Sequence, residues 1–330
     1  MKQFLQKKAK LVFLCMLVLL TCTACANPRG RDGKTLADQI IASEETTIDA
    51  SQINYKDISD KKLKKEIKKN IKDGQYTIQP TTFKDSMSKG WFEGLIVWPI
   101  AQIMNLISSK TDAGVGIILT TLLIQMLVFV FTRKSQMSTQ RMQEISPEIQ
   151  KIQNKYKDKT DERSKMQMAQ EMQNLYQKYD IHPFGSMLIT FIQLPIMMGM
   201  YYATMRSVSV VSGSFMGISL AGTPLDGFKA LDIAYIAIYV LMVIFYIVSM
   251  KLPQWLKKWQ DKKDNVKVKK YAQEETNPMA NSMNMSMYFM TAMICIMYIS
   301  WPMAMSFYWL VSSVIRVCQS LILHQVMNKK

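Results

Sequence analysis

The sequence is poor in the side chains that enzymes use most often for chemistry. It has only two histidines, His182 and His324, and five cysteines among 330 residues. Both histidines lie near the ends of apolar stretches, and no cysteine or histidine spacing matches a metal site or a disulfide framework. Nucleotide-binding loops are also absent. These absences argue against an enzyme, a resident metal and any other cofactor, so we expect none of the three.

The apolar stretches lack acidic residues near their centres, although 20% of the whole chain is charged and 49% is hydrophobic. Apolar and charged residues are segregated into blocks, which is typical of a membrane protein with hydrophilic loops. The net charge of +16 fits the lysine and arginine bias of cytoplasmic loops and contact with anionic lipid. A nucleic-acid partner would be a ribosome, not DNA.

Residues 1–25 have the pattern of a secretion signal, with four early lysines before an apolar run that is too short to span a bilayer. The run ends in a small residue followed by Cys25, which resembles a bacterial lipoprotein box. We therefore expect lipidation, such as a palmitate-bearing anchor, at Cys25. Cys22 is the rival acceptor, and an ordinary signal peptide with incidental cysteines is the alternative.

The chain after the signal alternates between polar and apolar segments. Residues 26–90 are polar and are expected to be a small extracytoplasmic region or tether, with one short helix at Asp60–Lys72. Residues 91–108 mix tryptophans with Glu93, Pro99 and Gln102, which predicts a helix lying in the membrane interface. We see no functional site in either segment.

The remaining pattern predicts five transmembrane helices, with the N-terminus outside and the C-terminus inside. Residues 135–180 repeat apolar residues at steps of three and four, which predicts a cytoplasmic helical hairpin with Pro147 kinking its first arm or starting it. Residues 251–281 form a basic cytoplasmic loop. The predicted spans are 111–132, 184–206, 230–250, 283–300 and 303–324.

Three predicted spans carry polar side chains at helical spacing. Any one such stripe is explained by helix–helix association. Three stripes together with an arginine that has no acidic partner at its depth predict a hydrated cavity, because an unpaired guanidinium in a bilayer needs water. The stripes are Thr121 and Gln125; Ser186, Thr190 and Gln193; and Ser306, Trp309, Ser313, Arg316 and Ser320. Such a cavity attracts short acidic segments of an incoming polypeptide.

Four blocks of this sequence resemble the YidC/Oxa/Alb membrane protein insertases, and the lipoprotein box resembles the Gram-positive branch. The blocks are GVGIILTTLLIQMLVFVFTRKSQ, MQEISPEIQKIQNKY, HPFGSMLITFIQLPIMMGMYYATMRSV and WPMAMSFYWLVSSVIRVCQS. The resemblance covers residues 91–330, which it identifies as an insertase core. It implies an all-α membrane protein with five transmembrane helices around a hydrophilic groove, an interfacial helix and a cytoplasmic hairpin.

The resemblance also implies a function and partners. The protein would insert nascent membrane proteins, alone or beside the Sec translocon, and its basic loops would contact the translating ribosome. The family carries its groove arginine in the first span, four residues after a threonine, where this chain has Gln125 after Thr121. The family position seven residues after the tryptophan of its Tyr-Trp pair is usually small and polar, and here it is Arg316. We hypothesise that the charge has moved from one wall of the groove to the facing wall, with Gln125 as its neutral hydrogen-bonding partner.

The sequence leaves other functions open. A membrane chaperone that folds and assembles clients after the translocon releases them would use the same groove. A small-molecule or ion channel would need rings of polar residues in an oligomer, and the chain shows no inverted repeat of the kind found in transporters. A non-functional paralogue is a further alternative, because the arginine of the first span is missing. We expect no small-molecule substrate.

Overall fold

The computed structural model describes residues 28–157, 159, 161–181, 185–263, 288–289 and 291–328. The predicted signal peptide and Cys25 lie outside these residues, as do most of the basic loop and the first part of the predicted fourth span. The chain divides into two compact units. The first contains residues up to Thr120, Leu194–Gly222 and Pro302–Met305; the second contains Thr121–Gln193, Thr223–Trp301 and the residues from Ser306 onwards.

The described residues are mostly helical, which confirms the predicted fold class. In chain order the helices are α1 (Lys61–Asn70), α2 (Phe83–Lys89), α3 (Trp98–Ser108), α4 (Ala113–Glu144), α5 (Ser146–Lys155), α6 (Glu162–Lys178), α7 (Gly185–Arg206), α8 (Val208–Val211), α9 (Pro224–Ala230), α10 (Ile233–Lys263), α11 (291–298) and α12 (Met303–Asn328). A π-helical turn at Glu93–Val97 leads into α3.

Three helices of the described residues are long and apolar enough to cross a membrane. They are Ala113–Met142, Ile233–Gln260 and Met303–Val326, in the places of the predicted first, third and fifth spans. Helix α7 occupies the place of the predicted second span, and α11 lies within the predicted fourth. The chain is therefore a multi-pass membrane protein, and the count of five spans remains a prediction.

Helix α4 continues twelve residues beyond the predicted end of the first span at Thr132. No glycine or proline interrupts this stretch, and the hydroxyl of Thr132 donates to the carbonyl of Val128 inside the helix. The helix ends where Pro147 stands in the first turn of α5, a position at which proline is tolerated because its missing N–H needs no partner. Proline thus starts the second half of the arm.

Helices α5 and α6 pack as an antiparallel hairpin in the second unit. Ile145, Leu175 and Ile181 form its buried core, and several residues of the predicted apolar seam pack around them. Side-chain bonds join the arms: Lys155 Nζ donates to Glu171 Oε1 at 2.5 Å, the Tyr156 hydroxyl donates to the same oxygen at 3.0 Å, and the Tyr179 hydroxyl donates to Glu148 at 2.6 Å. These contacts show a helical hairpin at the predicted place, and its cytoplasmic location remains a prediction.

The polar region that follows the predicted signal is a folded module of the first unit, so it is a small region and not a tether. Strand β1 (Thr35–Leu36) pairs in parallel with β3 (Ile53–Asn54), and β2 (Thr46–Asp49) pairs antiparallel with β4 (Gln75–Ile78). Helix α1 covers them at the predicted place. The strands were not predicted, because two to four residues are too few to show an alternating pattern.

The module is joined to the end of α7 by backbone and side-chain bonds. The Ile41 amide donates to the Arg206 carbonyl at 2.6 Å, and the Val208 amide donates to the Ile41 carbonyl at 3.0 Å. The Arg206 guanidinium, which is 5% exposed, pairs with Glu93 and donates to Gln39. A buried charge needs such partners, so this cluster ties the module to α7.

The segment between α7 and α10, predicted as an outside loop, also has structure. Helix α8 follows α7 directly, and strands β5 (Ser214–Phe215) and β6 (Ile218–Ser219) form a hairpin with Met216 and Gly217 in the left-handed region. Helix α9 begins with a capping box between Thr223 and Asp226. These short elements fill the polar segment that precedes the apolar helix α10.

Candidate functional site

Two glutamines from different helices of the second unit bond to α12. The amide of Gln125, which is 5% exposed on α4, donates from Nε2 to Ser312 Oγ at 3.1 Å. The amide of Gln193, near the middle of α7, donates from Nε2 to the Tyr308 hydroxyl at 3.2 Å. Tyr308 and Ser312 are four residues apart, so they lie on one face of α12. The predicted polar positions of the first and second spans are therefore both bonded to the fifth.

Arg316 lies one turn beyond Ser312 on α12 and rests against an aromatic ring. Its Cζ is 5.8 Å from the centre of the Trp309 ring, a cation–π distance. Helix α12 has 26 residues, and Arg316 is 13 residues from its first residue, roughly 20 Å along the axis. No ion pair involves Arg316 within the described part of the chain. The guanidinium is therefore supported by an aromatic face rather than by a carboxylate.

Two tyrosines, Tyr246 and Tyr298, pack against the ring of Trp309. Tyr298 stacks on Trp309 with ring centres 4.8 Å apart and planes 23° apart. Tyr246 of α10 meets Trp309 edge-on, at 6.4 Å and 86°. Trp309 is 5% exposed and Tyr298 is equally buried. Because rings packed from two sides have little freedom, the face that Trp309 offers to Arg316 is fixed.

Three buried polar atoms on α12 have no hydrogen-bond partner among the described residues. They are Trp309 Nε1, Ser313 Oγ and Arg316 Nη2, at spacings of four and three residues on one face. Buried polar groups are nearly always bonded, since an unsatisfied one costs about 1–3 kcal/mol. Indole and guanidinium N–H groups are donors only. The face therefore suits a ligand rich in acceptors, such as a carboxylate.

The predicted site residues Gln125 and Gln193 bond to Ser312 and Tyr308 of α12 rather than to the predicted stripe. Thr121 is fully buried one turn before Gln125, and Trp309, Ser313 and Arg316 share a face of α12. Thr190 lies on α7, and its side chain is outside the described part. Gln125, expected as a neutral hydrogen-bonding partner of the charge, donates to Ser312 instead.

Sequence reasoning missed four residues of this site. Ser312 and Tyr308 lie one position before the polar stripe, and the paired serines Ser312-Ser313 were a signal that two faces are polar. Tyr246 and Tyr298 gave no signal, because tyrosines inside apolar helices are common. The described residues also hold no group of three or more histidine, cysteine or acidic side chains that fits a metal ion.

Comparisons with known proteins match the part of the chain that holds this site. A family model described as the 60Kd inner membrane protein matches residues 104–330. Membrane protein insertase YidC 1 of Streptococcus pyogenes serotype M6 is 30% identical over 237 residues, 72% of this chain and 75% of that protein. Membrane protein insertase YidC of Enterococcus faecalis is 30% identical, covering 72% and 76%. Membrane protein insertase MisCA of Bacillus subtilis is 27% identical, covering 72% and 80%.

Proposed function

This chain belongs to the 60Kd inner membrane protein family, the YidC/Oxa/Alb group, and on that premise we propose that it is a membrane protein insertase. It moves hydrophobic segments of nascent membrane proteins into the bilayer, together with short acidic tails that must cross to the outside. Relatives that bear the name insertase align over about three quarters of both chains, which supports this role.

The observation that carries the mechanism is the charge of Arg316, which has no ion pair among the described residues, beside donors that lack a hydrogen-bond partner there. Moving a hydrophilic tail through hydrocarbon is costly, because its polar groups lose water. A polar groove lined by Gln125, Gln193 and the face of α12 lowers that cost. Arg316 attracts carboxylates, and Trp309 Nε1 and Ser313 Oγ supply further hydrogen bonds. No bond is made or broken, so the protein works as a transfer device and not as an enzyme.

The position of the charge distinguishes this chain from the family pattern described above. The first span has the neutral Gln125, whose amide bonds to Ser312, and the arginine stands on α12. A guanidinium reaches further than most side chains, so a charge on either wall of a groove acts on a client between them. We assign to Arg316 the role that the family gives to its first-span arginine.

The wider arrangement follows from the same proposal. Cys25 carries the lipid anchor, the N-terminal module lies outside and the C-terminus lies in the cytoplasm. The helical hairpin meets the client, while the basic loops contact the ribosome and anionic lipid. The Sec translocon is a partner for larger clients. Residues 91–330 form the insertase core, with the interfacial segment at its start.

Insertion without other proteins tests this function. The purified full chain is reconstituted in vesicles that lack the Sec translocon, and a single-span client with an acidic tail is synthesised outside them. We expect the client tail to become protected from added protease only in vesicles that hold the chain. Protection that appears only when Sec is also present identifies a chaperone and contradicts an insertase.

A further inference from the structure

Helix α1 carries more positive charge than its fold requires. Its ten residues, KKLKKEIKKN, include six lysines and one glutamate. Lys61 and Lys65 are four residues apart, as are Lys65 and Lys69, and like charges at this spacing destabilise a helix. Lys61 and Lys62 also stand in the first turn, where the helix dipole disfavours cations. Lys68 and Lys69 stand in the last turn, where the dipole favours cations, so the dipole accounts for two of the six lysines and not for the others.

The apolar and basic sides of α1 face opposite ways. Ile67 is 3% exposed in a core that also contains Val208 and Val211, and Leu63 packs against that core. The opposite side, which we call the lysine face, consists of Lys61, Lys62, Lys65, Lys68 and Lys69, all exposed. None of the five forms an ion pair in the part of the chain that the structure describes. This positive surface is thus available to a partner.

The position of α1 favours a partner in water over a lipid surface. Val208 and Val211 belong to α8, which directly follows α7, the predicted second span. Because the apolar side of α1 turns toward these valines, the lysine face turns away from the residues that lead into the membrane. The module is also fixed to the end of α7, since Thr35 Oγ1 donates to the Met205 carbonyl at 2.7 Å.

We propose that the lysine face is a docking surface for acidic stretches of polypeptide that have crossed the membrane. This inference rests on the proposed function, in which the module lies outside and the clients carry acidic tails. The carboxylates of a client tail, attracted by Arg316, meet the five lysines of this face once the tail has crossed the membrane. Exposed ion pairs are weak and exchange quickly, so several together hold a tail without trapping it. The surface thereby opposes the return of the tail.

Charge removal on the lysine face tests the proposal in the full chain, in cells depleted of their own insertase. The variant is Lys65→Gln, Lys68→Gln and Lys69→Gln; the matched control is Lys56→Gln, Lys72→Gln and Lys84→Gln, exposed lysines of the same module outside α1. Two single-span clients differ only in tail residues, three Asp or three Asn. Removing like charges relieves repulsion, so the variant should fold.

We expect the variant to reduce surface exposure of the Asp tail about three- to tenfold, the scale of a few exposed ion pairs, and to leave the Asn tail unchanged. The control should insert both clients normally. An equal loss for both clients overturns the proposal. The variant is also compared in purified vesicles of two lipids. A loss in phosphatidylglycerol vesicles but not in phosphatidylcholine vesicles indicates lipid docking and likewise overturns the proposal. If the unaltered chain inserts neither client, the proposed function itself fails and the inference falls with it.

Discussion

At the scale of single residues, Arg316 and Trp309 form a unit whose parts differ in freedom. Tyr246 and Tyr298 pack Trp309 from two sides, so its ring is fixed, whereas the arginine has a long flexible stem. Contact with a fixed aromatic face reduces the positions that the guanidinium samples. Trp309 is therefore expected to position the charge as well as to line the groove.

Replacing Trp309 tests this positioning role. Trp309→Leu removes the aromatic face and should lower insertion of an acidic-tailed client several-fold, since an exposed to partly buried cation–π contact is worth about 0.5–2 kcal/mol. Trp309→Phe keeps a face and should retain most of the activity. The measurement is protease protection of the client tail, with Trp255→Leu, a half-exposed tryptophan on α10, as the control.

The same substitution in an Arg316→Ala background separates positioning from packing. If Trp309 acts through the charge, Trp309→Leu should cause little further loss there, because the interaction is already absent. An equal loss in both backgrounds would show that the tryptophan only supports the fold.

The residues of this site were only partly predictable. Helical spacing identified Arg316, Trp309 and Ser313, because a charge in an apolar run stands out from its neighbours. It did not identify Ser312 or Tyr308, which receive the bonds from the two glutamines. The rotation of a helix is set by packing against its neighbours, and one sequence does not contain that information.

At the scale of elements, hydropathy located the long helices well and placed their ends poorly. Helix α10 has 31 residues, about 46 Å, so it exceeds a hydrocarbon core of about 30 Å by several turns. Its apolar part predicted the span, and its polar continuation to Lys263 runs into the segment predicted as the basic loop. A change in polarity therefore does not mark the end of a helix. Proline alone does not mark it either, because Pro147 stands in the first turn of α5 whereas Pro253 lies inside α10.

The helical hairpin contains an ion pair whose strength varies with pH. Lys155 and Tyr156 both donate to Glu171, and these bonds hold the pKa of its carboxyl below the ordinary value. A lowered carboxyl pKa stabilises the folded hairpin above the unfolded pKa of about 4.3, and this contribution disappears as the pH falls through the folded value.

Glu171→Gln should therefore increase amide hydrogen exchange in α5 and α6 at pH 6 in the full chain. The difference from the unaltered chain should shrink only as the pH falls below about 4, through the lowered pKa of the folded carboxyl, because Glu171 then becomes neutral like the glutamine. Asp180→Asn serves as the control, because that carboxylate is largely exposed and 3.8 Å from Arg141. A difference that stays constant with pH would assign the effect to shape rather than charge.

At the scale of the whole molecule, the chain combines a familiar membrane core with an N-terminal part that the family model does not cover. The model matches residues 104–330, and the folded module with the lysine face precedes them. The core was predictable because a single sequence is enough to show long apolar runs and the order of the motif blocks. The module was not, since its core of isoleucines is shared with Val208 and Val211, more than a hundred residues away.

The central claim is that Arg316 supplies the groove charge that other family members carry in the first span. Three forms of the full chain are compared in Sec-free vesicles with an acidic-tailed client and its neutral counterpart: Arg316→Ala, Arg316→Lys, and Gln125→Arg combined with Arg316→Thr. We predict that Arg316→Ala lowers insertion of the acidic-tailed client at least tenfold. The lysine form and the exchanged form should restore part of that insertion. Normal insertion of the acidic-tailed client by Arg316→Ala would contradict the account.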